Sequence, residues 1–258
     1  MLSFDQIKEY FTPELARANP KGMIVEYLQH ELLDSIFKLP GSEHLSFIGG
    51  TAVRILYDSR RFSEDLDFDD FGLDMERFSR LLEKACREIE LKGFDVEYRF
   101  VKKGDNFHCY IKFPSILNRY GMPAHHQAKI LVSIDAERKK KIFKPDIKVL
   151  NKFGIFRKIQ ADPVPVLLSQ KLLAILFRRR EKGRDFYDAS FLSGLAGPDY
   201  EYIQKITGIK REEFKTKILE RCSKLDLPAL ARDVEPFLFD PDQKERILSF
   251  VKTIKGIL

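Results

Sequence analysis

The sequence predicts an α+β fold, with a mixed sheet and helices in residues 1–160 and a helical domain over 161–258. Three observations predict it. The middle of the first part holds the β-branched and aromatic stretches "FDVEYRFV", "NFHCYIKF" and "AKILVSIDAE", separated by turn-formers. Helical patterns bounded by Pro and Gly precede and interleave with these strands. Beyond Pro165 the periodicity is helical to the last residue, in "VLLSQKLLAILFRRREK", "RDFYDASFLSG", "KREEFKTKILERCSK" and "QKERILSFVKTIK". The change of pattern falls near 156–163.

Taken in order, Ser3 and Gln6 form a capping box for a short first helix that Pro13 interrupts. A second helix is expected over about 21–38, with Ile24, Leu28, Leu32 and Ile36 on one face, ended by Pro40 and Gly41. The strand "LSFI" meets Gly49-Gly50 and a helix "TAVRILYD"; "DLDFD" reads as another strand, followed by a helix from Asp74 to about Lys92 that stops at Gly93. Ile130, Val132 and Ile134 alternate with Leu131, Ser133 and Asp135, which sets Asp135 on the face opposite the isoleucines.

With 258 residues the chain buries enough core to need no disulfide or structural metal. No run of about 18 apolar residues exists to span a membrane, and "MLSFDQIKEY" has no secretory-signal pattern. Cys86, Cys109 and Cys222 are odd in number and unpaired in spacing, which implies reduced thiols in the core of a cytoplasmic protein. Net charge is +6, and nine Lys or Arg residues in 138–158 face one acid, Asp146. That segment and "RRREKGR" at 178–184 suit a polyanion, a polyphosphate or RNA. Neither a Walker A loop nor GxGxxG is present, which argues against P-loop NTPases and Rossmann enzymes. His125-His126 lacks an HExxH frame or a Cys partner and reads as loop, not a zinc site.

The densest chemistry is "FIGGTAVRILYDSRRFSEDLDFDD", where Glu64, Asp65, Asp67, Asp69 and Asp70 crowd five acids into seven positions. Such crowding costs stability unless a cation sits among the acids. Gly49-Gly50 lets the backbone approach a ligand, and the first N–H groups of the following helix, around Thr51 and Ala52, suit a triphosphate. Asp65 and Asp67, two apart on an extended segment, aim at one side and supply hard oxygen ligands for Mg²⁺, with Mn²⁺ as a substitute. A third carboxylate, with Asp135 the best candidate, would allow two ions, which activate a hydroxyl and stabilise leaving pyrophosphate. Counted from Asp65 the acids imitate an EF-hand, but position 6 is Asp70 where the turn needs Gly. In the later helix, Lys171, Arg178 and Lys182 are expected on one stripe beside an apolar face of Leu168, Leu172, Ile175 and Leu176, with the Lys171 ammonium in reach of phosphates. Asp185 also suits a helix cap, and Arg184 with Asp188 an i,i+4 pair.

"GGTAV" followed by "RFSEDLDF" resembles the signature of the nucleotidyltransferase family of AbiEii/AbiGii toxins, in the DNA polymerase β-like superfamily. Gly49, Gly50, Thr51, Asp65 and Asp67 match it, as do Arg61 and Ser63. "QKLLAILFRRREKGRDFYD" resembles the family's second signature and carries over Lys171, Arg184, Asp185 and Asp188. Ile48 stands where such sequences often carry Lys, and Arg54 or Lys129 could substitute. The resemblance implies a polymerase β-like core and Mg²⁺-dependent transfer of a nucleotide from an NTP. The metal ligands would be Asp65, Asp67 and Asp135; the catalytic set adds Lys171, Asp185 and Asp188; Gly49, Gly50, Thr51, Arg61, Ser63, Lys171 and Arg184 would hold the nucleotide. It also implies a tRNA 3′ end as acceptor and a cognate antitoxin. Two rival readings are nucleotidyl transfer onto a protein partner and a non-catalytic RNA-binding module.

Overall fold

In the computed structural model, which describes residues 1–122 and 128–258, the chain divides into two compact units. The first comprises residues 1–52, 63–140 and 147–161, and the second residues 53–62, 141–146 and 162–258. His125-His126 lies outside the described residues.

The first unit opens with α1 (Phe4–Lys8), closed by the Ser3/Gln6 capping box, and α2 (Pro13–Ala18), which Pro13 starts at its first turn instead of ending a helix. Helix α3 (Pro20–Phe37) is buried on nearly every side, not on the single stripe expected: Met23, Leu28, Leu32 and Leu33 are core, and so are Glu26, Gln29, His30 and Glu31. Several of its buried polar groups find partners, although the Ser35 hydroxyl has none among the described residues. Lys152 binds Glu26 at 2.7 Å, Gln29 donates to the Ser63 carbonyl at 2.9 Å, and Lys92 reaches Glu31 at 2.6 Å.

Strand β1 (Leu45–Ile48) leads through the two glycines into α4 (Gly49–Tyr57), whose later residues fall in the second unit. Strand β2 (Leu66–Asp70) follows, then the amphipathic α5 (Met75–Leu91), capped by Asp74 and burying Phe78, Leu82, Ala85, Cys86 and Ile89. Next come β3 (Glu97–Lys103), β4 (Asn106–Pro114), the single turn α6 (Ile116–Arg119) and β5 (Lys129–Arg138). Two further strands, β6 (Asp146–Lys152) and β7 (Ile155–Ala161), complete a seven-stranded sheet in the order β3-β4-β5-β2-β1-β7-β6. The sheet is mixed: β2 runs parallel to β5 and β1 to β7, while β1 with β2 and β3-β4-β5 are antiparallel.

The last two strands take up part of the basic charge of 138–158. Lys139 pairs with Glu137, Lys152 with Glu26 and Arg157 with Asp34, so those three charges are taken up inside the unit. The hairpin turn is Phe153-Gly154, both at positive φ (58° and 76°), as a tight two-residue turn between right-twisted strands requires. Phe153 tolerates that backbone because its ring is buried, 5.3 Å from Tyr27 and 4.9 Å from His30.

One face of the sheet packs on α3 and α5. Phe68 lies 6.1 Å from Phe37, and Phe107 lies 5.3 Å from Phe78. Ile130, Val132, Ile134 and Ala136 of β5 are buried there, and the intervening Ser133 and Asp135 project to the opposite face, as alternation predicts. Cys86 and Cys109 are buried free thiols of this unit, and Cys222 of the other.

The second unit is helical: α7 (Val164–Phe177), α8 (Gly183–Leu192), α9 (Tyr200–Thr207), α10 (Arg211–Cys222), α11 (Leu227–Val234), α12 (Glu245–Leu248) and α13 (Phe250–Lys255). Helix α7 ends five residues early. Arg178 is extended (ψ 129°), and continuing the helix would set Arg178 over Lys182 as a like-charge i,i+4 pair. The expected stripe of Lys171, Arg178 and Lys182 therefore does not form. The final helix is broken at Ser249, whose hydroxyl donates to the Glu245 carbonyl at 2.7 Å. No helix of the described residues is long and apolar enough to cross a membrane.

Candidate active site

The acids of 64–70 sort by strand alternation. Glu64 is exposed, and Asp70, fully buried, accepts from the N–H groups of Gly72 and Leu73 at 2.9 and 2.8 Å, which makes it a turn-former. Asp67 is half-buried and lies on the face away from α3 and α5. Parallel pairing of β2 with β5 sets it directly beside Asp135, and antiparallel pairing with β1 sets it opposite Ile48.

The glycine next to Ile48 is required twice over. Gly49 has φ +78°, a left-handed backbone that turns strand into helix. A Cβ there would also stand 2.1 Å from Oδ2 of Asp67, so the carboxylate lies against bare backbone at the start of α4. The Thr51 hydroxyl donates to the Asp65 carbonyl, tying the acidic segment to the first turn of α4. Thr51 is fully buried, so its side chain is structural and only its backbone N–H remains in the expected role. Ser63, half-buried, offers its carbonyl to Gln29.

Two donors outside the expected set hold the other carboxylates. The Ser133 hydroxyl donates to Asp65 Oδ1 at 2.6 Å, and His108 Nδ1 lies 2.5 Å from Asp135 Oδ1. Alternation in "NFHCYIKF" (Phe107, Cys109, Ile111 and Phe113 buried) puts His108 outward, but its place opposite Asp135 depends on the β4–β5 register, which no sequence pattern announces.

The hard-oxygen donor set suits Mg²⁺. Among the described residues no group of three or more His, Cys, Asp or Glu side chains is gathered to hold a metal alone. Mg²⁺ does not demand one, since one or two carboxylates with substrate phosphates and waters complete its octahedron. Asp67, against bare backbone and beside Asp135, fits that mode.

The second motif builds a different structure, inside the helical unit. Arg61 is 1% exposed. It makes two parallel hydrogen bonds to Asp188, Nε to Oδ1 at 2.7 Å and Nη2 to Oδ2 at 2.6 Å, and its Nη1 donates to the Phe62 carbonyl at 2.9 Å. Lys171 Nζ lies 2.9 Å from Asp188 and 3.3 Å from Asp185, and Arg178 reaches Asp185 at 2.7 Å. Three cations thus share two buried carboxylates. Burial alone would raise the Asp188 carboxyl, but Arg61 and then Lys171 outweigh it and hold it below the ordinary carboxylate range. Burial would lower Lys171, and Asp188 with Asp185 outweighs that and raises it.

This corrects several expectations. Arg61, expected on a nucleotide, is spent on Asp188. Lys171 points into the ion cluster and not to a pocket edge. Asp185 lies in the first turn of α8 but pairs with cations instead of capping, and Asp188 takes Arg61 and Lys171 in place of Arg184, which is half-buried. Arg54 is likewise engaged within its unit, 2.6 Å from Asp58 and stacked over Phe239, and Lys129 pairs with Glu97 at 2.7 Å.

The family described as "Nucleotidyl transferase AbiEii toxin, Type IV TA system" matches residues 31–256. Among solved structures, MenT4, a nucleotidyltransferase toxin from Mycobacterium tuberculosis, superposes with a TM-score of 0.64 at 14% identity, covering 100% of this chain and 91% of that one. JHP933 from Helicobacter pylori gives a TM-score of 0.60 at 15% identity, covering 92% of this chain and 91% of that one. At such identities the likeness establishes the fold. No curated protein matches. Since the family match runs through both signatures and nearly the whole chain, the protein belongs to the AbiEii family of type IV toxin–antitoxin systems and is a nucleotidyltransferase.

Proposed function

We propose that the chain transfers a nucleotide from an NTP to an RNA acceptor, the 3′ end of tRNA, as the toxin of a toxin–antitoxin pair with a cognate antitoxin. The observation that carries the reading is the in-register pair Asp67–Asp135 beside Gly49 at the start of α4.

In this reading Asp67 and Asp135, with Asp65 as an outer carboxylate held by Ser133, would bind Mg²⁺ together with substrate phosphates and waters, and the ion when bound would neutralise phosphate charge and activate the attacking hydroxyl. The first N–H groups of α4, from Gly50 to Ala52, orient the triphosphate. Asp135 Oδ2, the oxygen not taken by His108, accepts the acceptor's hydroxyl proton. The deprotonated acceptor hydroxyl oxygen then forms a bond to the α-phosphorus, the bond from that phosphorus to the bridging oxygen breaks, and pyrophosphate leaves. Lys171, Asp185, Asp188 and Arg61 act as a buried brace in the helical unit, not as phosphate ligands. Arg179 and Arg180, exposed between α7 and α8, supply positive charge for RNA phosphates.

The test offers the protein each α-labelled NTP with Mg²⁺ and total tRNA, beside an Asp65→Ala/Asp67→Ala double variant. Label entering RNA with the wild type alone is the expected result. Label entering only protein would replace the RNA acceptor with a protein one. No NTP binding at all would overturn the site.

A further inference from the structure

Asp135 and His108 face each other across the β4–β5 ladder, at 36% and 20% side-chain exposure. Asp135 stands beside Asp67 on the next strand, so two carboxylates share one patch of sheet. Like charges at that spacing push apart, and a half-exposed aspartate has open rotamers into which to swing. One contact opposes that motion: the His108 ring, fixed on the neighbouring strand, holds Oδ1 of Asp135 through Nδ1 at 2.5 Å. The hold requires only that Nδ1 carry a proton, which the neutral donor tautomer and the cation both satisfy. Ser133 does the same for Asp65 Oδ1 from β5, at 2.6 Å. Each of these acids thereby has one oxygen tied to a strand and the other left for a ligand.

We propose that His108 is a positioning residue of the nucleotidyltransferase centre, orienting the Asp135 carboxylate so that its second oxygen serves the divalent cation and the acceptor hydroxyl. This rests on the assignment of Asp67 and Asp135 to that centre. The arrangement is the one by which outer-shell partners orient ligands at oxygen-rich sites, where losing such a partner lowers metal affinity about 10- to 100-fold.

The experiment titrates Mn²⁺ alone into the full chain, read by electron paramagnetic resonance. The wild type is compared with His108→Ala, His108→Asn and Asp67→Ala, each checked by circular dichroism melting. The concentration of Mg²⁺ giving half-maximal transfer is measured in parallel. His108→Ala is expected to bind Mn²⁺ on the order of 10- to 100-fold more weakly and to need correspondingly more Mg²⁺. His108→Asn, whose amide N–H replaces Nδ1, is expected to keep most of the affinity, a rescue that a purely structural histidine would not give. Should His108→Ala titrate like the wild type while Asp67→Ala loses Mn²⁺, the inference about His108 falls and the site stands. If Asp67→Ala also binds as the wild type does, both fall. His108→Asn as impaired as His108→Ala, with both folded, would also overturn the orienting role.

Discussion

Gly49 tolerates no side chain for two independent reasons, its positive φ and the 2.1 Å approach to Asp67. Gly49→Ala should cost about 1–2 kcal/mol from backbone strain alone. Displacing Asp67 should lower transfer on the order of 100-fold, since small misplacements at a reacting centre are costly. A melting curve beside a transfer assay separates the two effects. Asp188→Ala should be far more damaging to the fold, because it leaves the Arg61 guanidinium buried and unpaired. Urea unfolding should show a loss of about 3–5 kcal/mol. At this scale the sequence was most legible where alternation alone decides. Asp67 and Asp135 could be placed on their faces from period-two patterning, and the glycines from the strand-to-helix change. His108, Ser133 and the burial of Arg61 were not legible, because each depends on a partner 27, 68 or 127 residues away.

Between elements, ion pairs carry much of the specificity. Asp34 of α3 is held by Arg157 of β7 at 2.8 Å and by Lys92 at 3.0 Å. Burial would raise the Asp34 carboxyl, yet its hydrogen bonds to Arg157 and Lys92 lower it. A carboxyl lowered on folding adds stability that is complete above its unfolded pKa, about 3.9, and is lost as pH falls through its folded value. Asp188 adds a second contribution of the same sign. Urea midpoints should therefore hold level above about pH 5 and fall below pH 4. Asp34→Asn should be less stable at neutral pH and show a shallower acid limb. Most elements were legible: capping at Ser3 and Asp74, the β1-Gly-Gly-α4 turn, and β3 to β5. The β6–β7 hairpin was not, since its lysines dominate the composition and its turn is Phe-Gly where Asn-Gly is the usual signal. Helix α7 was read too long because apolar periodicity carries no penalty for stacked arginines.

For the whole molecule, the family assignment was legible because its two signatures are local strings. RNA as the acceptor has a measurable consequence. Binding of labelled tRNA should weaken steeply with salt, and Arg179→Ala/Arg180→Ala should reduce the slope of log K against log salt by about 2 if both reach phosphates. A salt-independent interaction would remove RNA phosphate contact from the account. The central claim, that Asp67 and Asp135 form one catalytic centre, is tested most directly by transfer from an α-labelled NTP under single-turnover conditions with Asp67→Asn and Asp135→Asn. Both side chains are half-exposed, so both variants should fold. Each should lose several kcal/mol of charge stabilisation, a rate on the order of 1000-fold lower, with the double variant little worse than either alone. A variant of either aspartate that transfers at the wild-type rate would contradict the account.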